Sequence, residues 1–234
     1  EGADETLGGY VRYQPLRYSS ALSAARWILP PASRALNLSG RWRKLARFLE
    51  LGSLDRLVLF NACDVLPPDL EKLCLPTSSR FTYREQVLDE ARRLYPGDLA
   101  RQAMYSDQHT FLCSVLDRND RMTMGASIEC RVPFLDYRLV EMLAALPSSE
   151  LFMGRGNKEL LRASVGSRLP TDVLRHRKWG FGVPWKRYIR EVEELRSSFL
   201  DLSNTQLILD SPLDRSAIQK DVHAFLCGDD QPFS

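Results

Sequence analysis

Apolar residues recur at helical spacing along almost the whole chain, and the two-residue alternation of a half-buried strand is nearly absent. That pattern limits the fold to one built mainly of helices. Ser19 to Leu29 carries an apolar stripe that should stop at Pro30-Pro31, because proline lacks the amide donor a helix interior needs. Arg41 to Leu51 sets basic residues against Leu45, Phe48 and Leu49, the arrangement of a surface helix. Tyr83 to Leu94, Leu99 to Leu116, Asp136 to Leu146, Lys158 to Val165, Trp185 to Leu200 and Ser216 to Leu226 read as further helices. Leu54 to Phe60 is too short for periodicity to assign, and residues 64–82, rich in Pro and Ser, read as a connection. Asp4 to Tyr13 opens with acids suited to a helix N-terminus. Its Gly8-Gly9 pair is poor helix material, which makes better sense if another backbone or a ligand approaches closely.

Charge narrows the function classes. Lys plus Arg number 32 against 30 Asp plus Glu, a net +2, so the chain has no global field for nucleic acid and any anion site must be local. The longest apolar runs fall short of a membrane span. Five cysteines, far apart and without a CxxC pair, fit neither a zinc site nor a disulfide framework. The reading is a chain of the cytoplasm with reduced thiols, binding neither nucleic acid nor membrane.

Three stretches do not read as ordinary helix or loop. Glu1-Gly2-Ala3-Asp4-Glu5 sets three carboxylates within five residues. Their repulsion calls for a counter-charge, either a basic partner or a hard cation such as Mg²⁺ held with phosphates, unless the segment is only a frayed acidic end. Asp120 to Asp136 interleaves charges with apolar residues, which suggests charges near the core; Asp120, Arg121, Glu129, Arg131 and Asp136 could then pair among themselves, or some could face a cleft. Arg175 to Trp185 is the locally basic stretch, with Gly180 and Gly182 to bend and Pro184 to limit bending. A basic loop beside a carboxylate loop suits phosphoryl or nucleotidyl transfer, where charge builds on phosphate oxygens; a solvated basic surface is the plainer alternative.

These stretches carry a resemblance. Glu1-Gly-Ala-Asp-Glu-Thr-Leu-Gly-Gly-Tyr10 resembles the motif SGEGADELFGGY of glutamine-dependent asparagine synthetases. Asp120 to Asp136 resembles that family's DRxSMAxSLExRVPFLD, and Leu169 to Pro184 its LPxxILxRxKxGFGVP. The three motifs occur in the family's order and span most of the chain.

The resemblance implies a mainly α-helical fragment of an α/β adenine-nucleotide α-hydrolase-like (ATP pyrophosphatase) domain, with residues 1–234 its C-terminal part. It implies ATP and Mg²⁺ as cofactors, and aspartate with glutamine-derived ammonia as small-molecule substrates. The reaction would be amidation of aspartate through a β-aspartyl-AMP intermediate, in a parent that could form a homodimer. Glu1 falls on the residue that forms or resolves the intermediate, Asp4 on the Mg²⁺–pyrophosphate carboxylate, and Lys178 on the loop cation that stabilises transition-state charge. Gly2 and Lys178 would contact the nucleotide. Asp107 sits where the family has an acid lining the synthetase cleft, and Lys158 matches a Lys before an LLR segment, either a supporting cation or a surface one.

The departures are Thr6-Leu7 for the usual Leu-Phe, and His176 for an Arg two residues before the loop Lys. The first residue is Glu, and the SGGxDS pyrophosphate loop, the adenine-binding strands and the glutaminase Cys are not in the sequence. The expectation is therefore a fragment, inactive alone. The rival expectations are an adenylating ligase for another carboxylate, of the β-lactam or macrolactam synthetase kind, and a non-catalytic helical module.

Overall fold

Every regular element among the described residues is helical. The structure is a computed structural model, and it describes residues 1–36, 38, 40–63, 65–73, 82–154, 158–176 and 183–228. In chain order the helices are α1 (Ala3–Thr6), α2 (Ser19–Ala35), α3 (Gly40–Leu49), α4 (Leu54–Leu59), α5 (Pro67–Lys72), α6 (Thr82–Leu94), α7 (Leu99–His109) and α8 (Phe111–Met124). They continue with α9 (Tyr137–Ala144), α10 (Ser148–Leu151), α11 (Glu159–Val165), α12 (Thr171–Arg175), α13 (Trp185–Glu191), α14 (Glu193–Leu200), α15 (Gln206–Leu209) and α16 (Arg215–Leu226).

Several starts are fixed by side-chain caps. Ser53 accepts from the Arg56 amide at 3.2 Å, Asp98 from the Arg101 amide at 3.0 Å, and Asp136 from the Arg138 amide at 3.0 Å. Asp214 accepts from the amides of Ser216 and Ala217, which holds its carboxyl below the usual range. Each cap satisfies a donor that the first helical turn leaves without a partner.

The departures from the sequence reading are local. α2 runs on through Pro30 and Pro31 to Ala35. Two prolines remove two amide donors, but Pro30 and Ser33 are buried and the helix packs along α3, so tertiary contact overrides the break. The stretch from Asp4 to Tyr13, which opens with acids suited to a helix start, makes a single turn before its Gly-Gly pair, followed by 3-10 turns at Val11–Tyr13 and Pro15–Arg17. The stretch 99–116 breaks at Thr110, whose hydroxyl donates to the Ser106 carbonyl at 2.7 Å. The stretch 185–200 breaks at Val192, which is extended. α5 lies inside the expected connection: Pro67 occupies the first helical position, and Asp69 accepts from the Leu66 amide at 2.9 Å.

The described chain forms two compact units, Glu1–Ala62 with Phe81–His176, and Cys63–Arg80 with Arg177–Ser234. In the first, α7 is the central helix, with Leu99, Ala100, Ala103 and Met104 buried and α1, α4, α6 and α8 packed around it. Buried Arg101 donates to the carbonyls of Leu143 and Ala144 at 3.2 and 2.8 Å, satisfying acceptors at the C-terminal end of α9.

In the second unit, fully buried Phe225 of α16 stacks on Trp185 at 5.8 Å and meets Phe199 edge-on at 5.3 Å. The Arg190 guanidinium lies 4.3 Å from the Phe225 ring and donates to its carbonyl at 2.9 Å. Phe225→Ala should lower stability by about 3–5 kcal/mol, the cost of emptying a buried aromatic site. Urea unfolding followed by tryptophan emission measures it; an unchanged midpoint would show that this cluster is not the unit's core.

Candidate active site

The acidic opening of the chain becomes one helical turn because Gly2 has φ 86°, a left-handed conformation that side chains resist. The Leu135 side chain occupies the space a Cβ on Gly2 would need, so residues 133–135 sit directly against the start of α1. Thr6 closes the turn, its amide and hydroxyl both donating to the Gly2 carbonyl, at 3.0 and 2.8 Å. The buried Thr6 is thus a working part of the turn.

The turn points its three carboxylates in three directions. Glu1 is exposed, and its Oε1 accepts from Asn119 Nδ2 of α8 at 3.0 Å. Asp4 is half-buried, with Oδ1 3.2 Å from Lys158 Nζ. Glu5 is buried, and its Oε1 accepts from the Tyr10 hydroxyl at 2.8 Å. Burial pushes the Glu5 carboxyl above its ordinary value; the Tyr10 hydrogen bond opposes the shift, and the charges of Asp4 and Asp107 add to it. The Tyr10 hydroxyl is raised as well, by burial and then by its bond to Glu5.

The Gly8-Gly9 pair is read correctly as a place of close approach, but side chains make the approach. A Cβ on Gly8 would meet the ring of Phe152, and one on Gly9 the Asp4 carboxylate and Lys158 Cε. Lys158 reaches Asp4 from a left-handed backbone, φ 54° and ψ 46°, immediately before α11. Such a conformation costs a lysine on the order of 1 kcal/mol and persists where the surroundings fix it. Arg17 contributes upstream, donating to the carbonyls of Phe152 and Gly154 at 2.7 and 3.2 Å.

Asp107 is not a free acid facing a cleft. It is 3% exposed, and its Oδ2 accepts from Arg12 Nη2 at 2.7 Å, Arg12 Nε at 3.3 Å and the Tyr13 hydroxyl at 2.6 Å. The Arg12 guanidinium also lies 3.8 Å from the centre of the Tyr10 ring. Burial alone would lower the Arg12 pKa, but the adjacent Asp107 charge raises it overall. The sequence reading singled out Glu5 only as one of three clustered carboxylates, and it did not find Tyr10, Arg12 and Tyr13. The available signal was the Gly-Gly interruption followed by two tyrosines flanking an arginine.

The charges between Asp120 and Asp136 are exposed or half-exposed rather than core-facing. Their pairs are local: Arg121 with Asp117 at 2.9 Å, Arg131 with Glu129 at 3.0 Å, and Asp136 with Arg138 at 2.9 Å. Exposed pairs of this kind contribute little to stability. Lys178 and the loop 177–182 lie outside the described residues. The flank of that loop, in the second unit, is an open hollow of about 450 Å³ lined by Trp185, Lys186, Arg187 and Arg190 among others.

No group of three His, Cys, Asp or Glu among the described residues is placed to hold a metal ion. Asp4, half-buried and 3.2 Å from Lys158 Nζ, is the carboxylate that would join phosphate oxygens around a Mg²⁺.

The sequence model of the asparagine synthase family matches residues 1–225. Asparagine synthetase (glutamine-hydrolyzing) 3 of Bacillus subtilis (strain 168) is 30% identical, over 76% of this chain and 25% of that protein. Asparagine synthetase (glutamine-hydrolyzing) 1 of the same organism is 25% identical, over 88% and 33%. A putative asparagine synthetase (glutamine-hydrolyzing) of Mycobacterium tuberculosis is 27% identical, over 88% and 32%. The chain spans a quarter to a third of the length of these relatives. No solved structure gives a significant match.

Two outcomes follow from this geometry. Gly9→Ala should destabilise the protein by about 1–3 kcal/mol, since Asp4 and Lys158 must both move; thermal melting measures it, and a wild-type melting curve would refute the close approach. Glu5→Gln tests burial of the acid. A carboxyl raised in the folded state stabilises the fold while protonated, and that contribution is lost as pH rises through its folded value. The stability of Glu5→Gln relative to wild type should therefore increase from pH 4.5, the ordinary glutamate value, toward neutral pH. Urea unfolding at several pH values reads the difference, and a flat or falling trend would contradict it.

Proposed function

The chain belongs to the asparagine synthase family, and from that premise we propose that its full-length protein amidates aspartate at the expense of ATP. In this reading the aspartate β-carboxylate attacks the α-phosphorus of ATP, pyrophosphate leaves, and β-aspartyl-AMP forms. Ammonia from glutamine then attacks the acyl carbon, AMP leaves, and the attacking nitrogen gives up a proton. The fold of the parent domain would be the α/β adenine-nucleotide α-hydrolase type, to which this chain contributes helices.

The observation that carries the reading is the segment 1–6, which holds Glu1 exposed just before α1 and Asp4 within it against a lysine. Glu1, oriented by Asn119, is available to take the proton from the attacking nitrogen. Asp4 would hold Mg²⁺ together with phosphate oxygens, and the ion would neutralise charge on the departing pyrophosphate. Lys158, 3.2 Å from Asp4, orients that carboxylate and adds a positive charge beside the phosphates. Lys178 takes the role of loop cation on its resemblance alone. Asp107 serves the scaffold in this assignment, its carboxylate being committed to Arg12 and Tyr13. Gly2 belongs to the site through its backbone, which opens the turn.

The test is the full-length protein supplied with aspartate, ATP and glutamine. Asparagine and pyrophosphate should appear in equal amounts. Glu1→Gln should lower kcat by roughly 10²–10⁴-fold, the range for loss of a general base, with melting unchanged. Pyrophosphate release without asparagine would overturn aspartate as the substrate. Undiminished turnover in Glu1→Gln would overturn the role of Glu1.

A further inference from the structure

The ammonium of Lys158 already stands where a metal ion would have to approach Asp4. Its Nζ lies 3.2 Å from Asp4 Oδ1, and the two side chains are each 23% exposed, so water and small ions can reach the pair. The Asp4 carboxylate and Lys158 Cε both pack into the space that Gly9 leaves by having no side chain. Glu1 and Glu5, the other carboxylates of the segment, accept from Asn119 and Tyr10.

A free divalent cation coming to Asp4 therefore meets a carboxylate whose charge an ammonium has cancelled. Among the described residues no group of three His, Cys, Asp or Glu is placed to hold the ion instead. Mg²⁺ sheds its waters reluctantly and is usually held by one or two carboxylates together with substrate phosphates. An ammonium beside the carboxylate also repels a dication directly. A pyrophosphate group alters both conditions. It brings anionic oxygens for the ion, and it offers the ammonium a new charge-assisted partner.

We propose that Lys158 masks Asp4 until phosphate arrives, so that Asp4 accepts a divalent cation together with a phosphate-bearing ligand and not before it. The proposal rests on the assignment of Asp4 to Mg²⁺ made above, and adds a gate on the order of binding to the orienting part given there to Lys158. No covalent bond changes. The ammonium leaves Asp4 Oδ1 for a phosphate oxygen, and the carboxylate passes to the metal.

The backbone at 158 supplies suitable variants. Its φ of 54° and ψ of 46° are left-handed, a conformation that glycine and asparagine adopt more readily than lysine. Lys158→Gly and Lys158→Asn thus remove the ammonium while keeping the entry to α11, and both should melt no lower than wild type.

The experiment is equilibrium dialysis of Mn²⁺, standing in for Mg²⁺, against the full-length protein with and without pyrophosphate. Wild type should bind Mn²⁺ much more tightly with pyrophosphate than without. Lys158→Gly and Lys158→Asn should bind Mn²⁺ alone roughly 5–150-fold more tightly than wild type, the range of a coupling between two ligands. Lys158→Arg, which keeps a cation, should stay near wild type. The gain should vanish in Asp4→Asn/Lys158→Gly. Unchanged affinity for Mn²⁺ alone in Lys158→Gly and Lys158→Asn overturns the proposal. So does a gain that persists without the Asp4 carboxylate, or wild-type protein that binds Mn²⁺ equally well with and without pyrophosphate. If Asp4→Asn binds Mn²⁺ with pyrophosphate as tightly as wild type does, the assignment of Asp4 to the metal fails first, and the proposal with it.

Discussion

The contact of Asp107 with Arg12 and Tyr13 ties the first seventeen residues to α7, and much of the first unit depends on it. A buried carboxylate is costly unless its lone pairs are answered. Here one oxygen receives two guanidinium donors and a phenol at 2.6–3.3 Å. The guanidinium then supports the Tyr10 ring, and the Tyr10 hydroxyl bonds Glu5. A second link runs from Gln108, whose amide donates to the Glu5 carbonyl at 3.0 Å. Removing the Asp107 charge would therefore leave a buried cation and a buried phenol without their acceptor, and would loosen the segment that carries α1.

Three carboxylates in five residues need not share a cation to coexist. Successive helical residues point about 100° apart. The single turn started at Gly2 thus sends Asp4 and Glu5 to different surroundings, while Glu1 lies outside the helix. An amide side chain, an ammonium and a phenol answer the three charges separately. Burial then separates them chemically as well. Glu5 is pushed toward its neutral form, and Glu1 remains in contact with water.

The long helices were legible because apolar spacing over ten or more residues has one economical solution. What was not legible follows from contacts far apart in sequence. Pro30 and Pro31 read as a stop, yet α2 passes through them because α3 packs alongside. Leu54 to Phe60 had no readable period, and the Ser53 cap together with burial of Leu57, Val58 and Leu59 make it a helix. At the candidate site the carboxylates Glu1 and Asp4 were legible from their motif. Their neighbours Asn119 and Lys158 come from 118 and 154 residues further along, and no local pattern announces such a pairing. Asp107 was expected to line a cleft, and it is buried with its carboxylate on Arg12 and Tyr13; sequence alone does not say which way a helix faces.

Lys158 shows how the site is assembled. A lysine in a left-handed conformation is unfavourable by itself, and a helix start offers many cheaper residues and geometries. The chain before it is held where Arg17 binds the carbonyls of residues 152 and 154, and the chain after it enters α11 at once. The left-handed conformation at Lys158 goes with an ammonium that reaches Asp4 at 3.2 Å. Gly9 completes the arrangement by leaving the space that any side chain would fill. The ion pair therefore depends on the left-handed backbone at 158 and on a glycine in the acidic motif as well as on the two residues that form it. A relaxed backbone at 158 would be more stable locally, but it would not carry the charge to the same place.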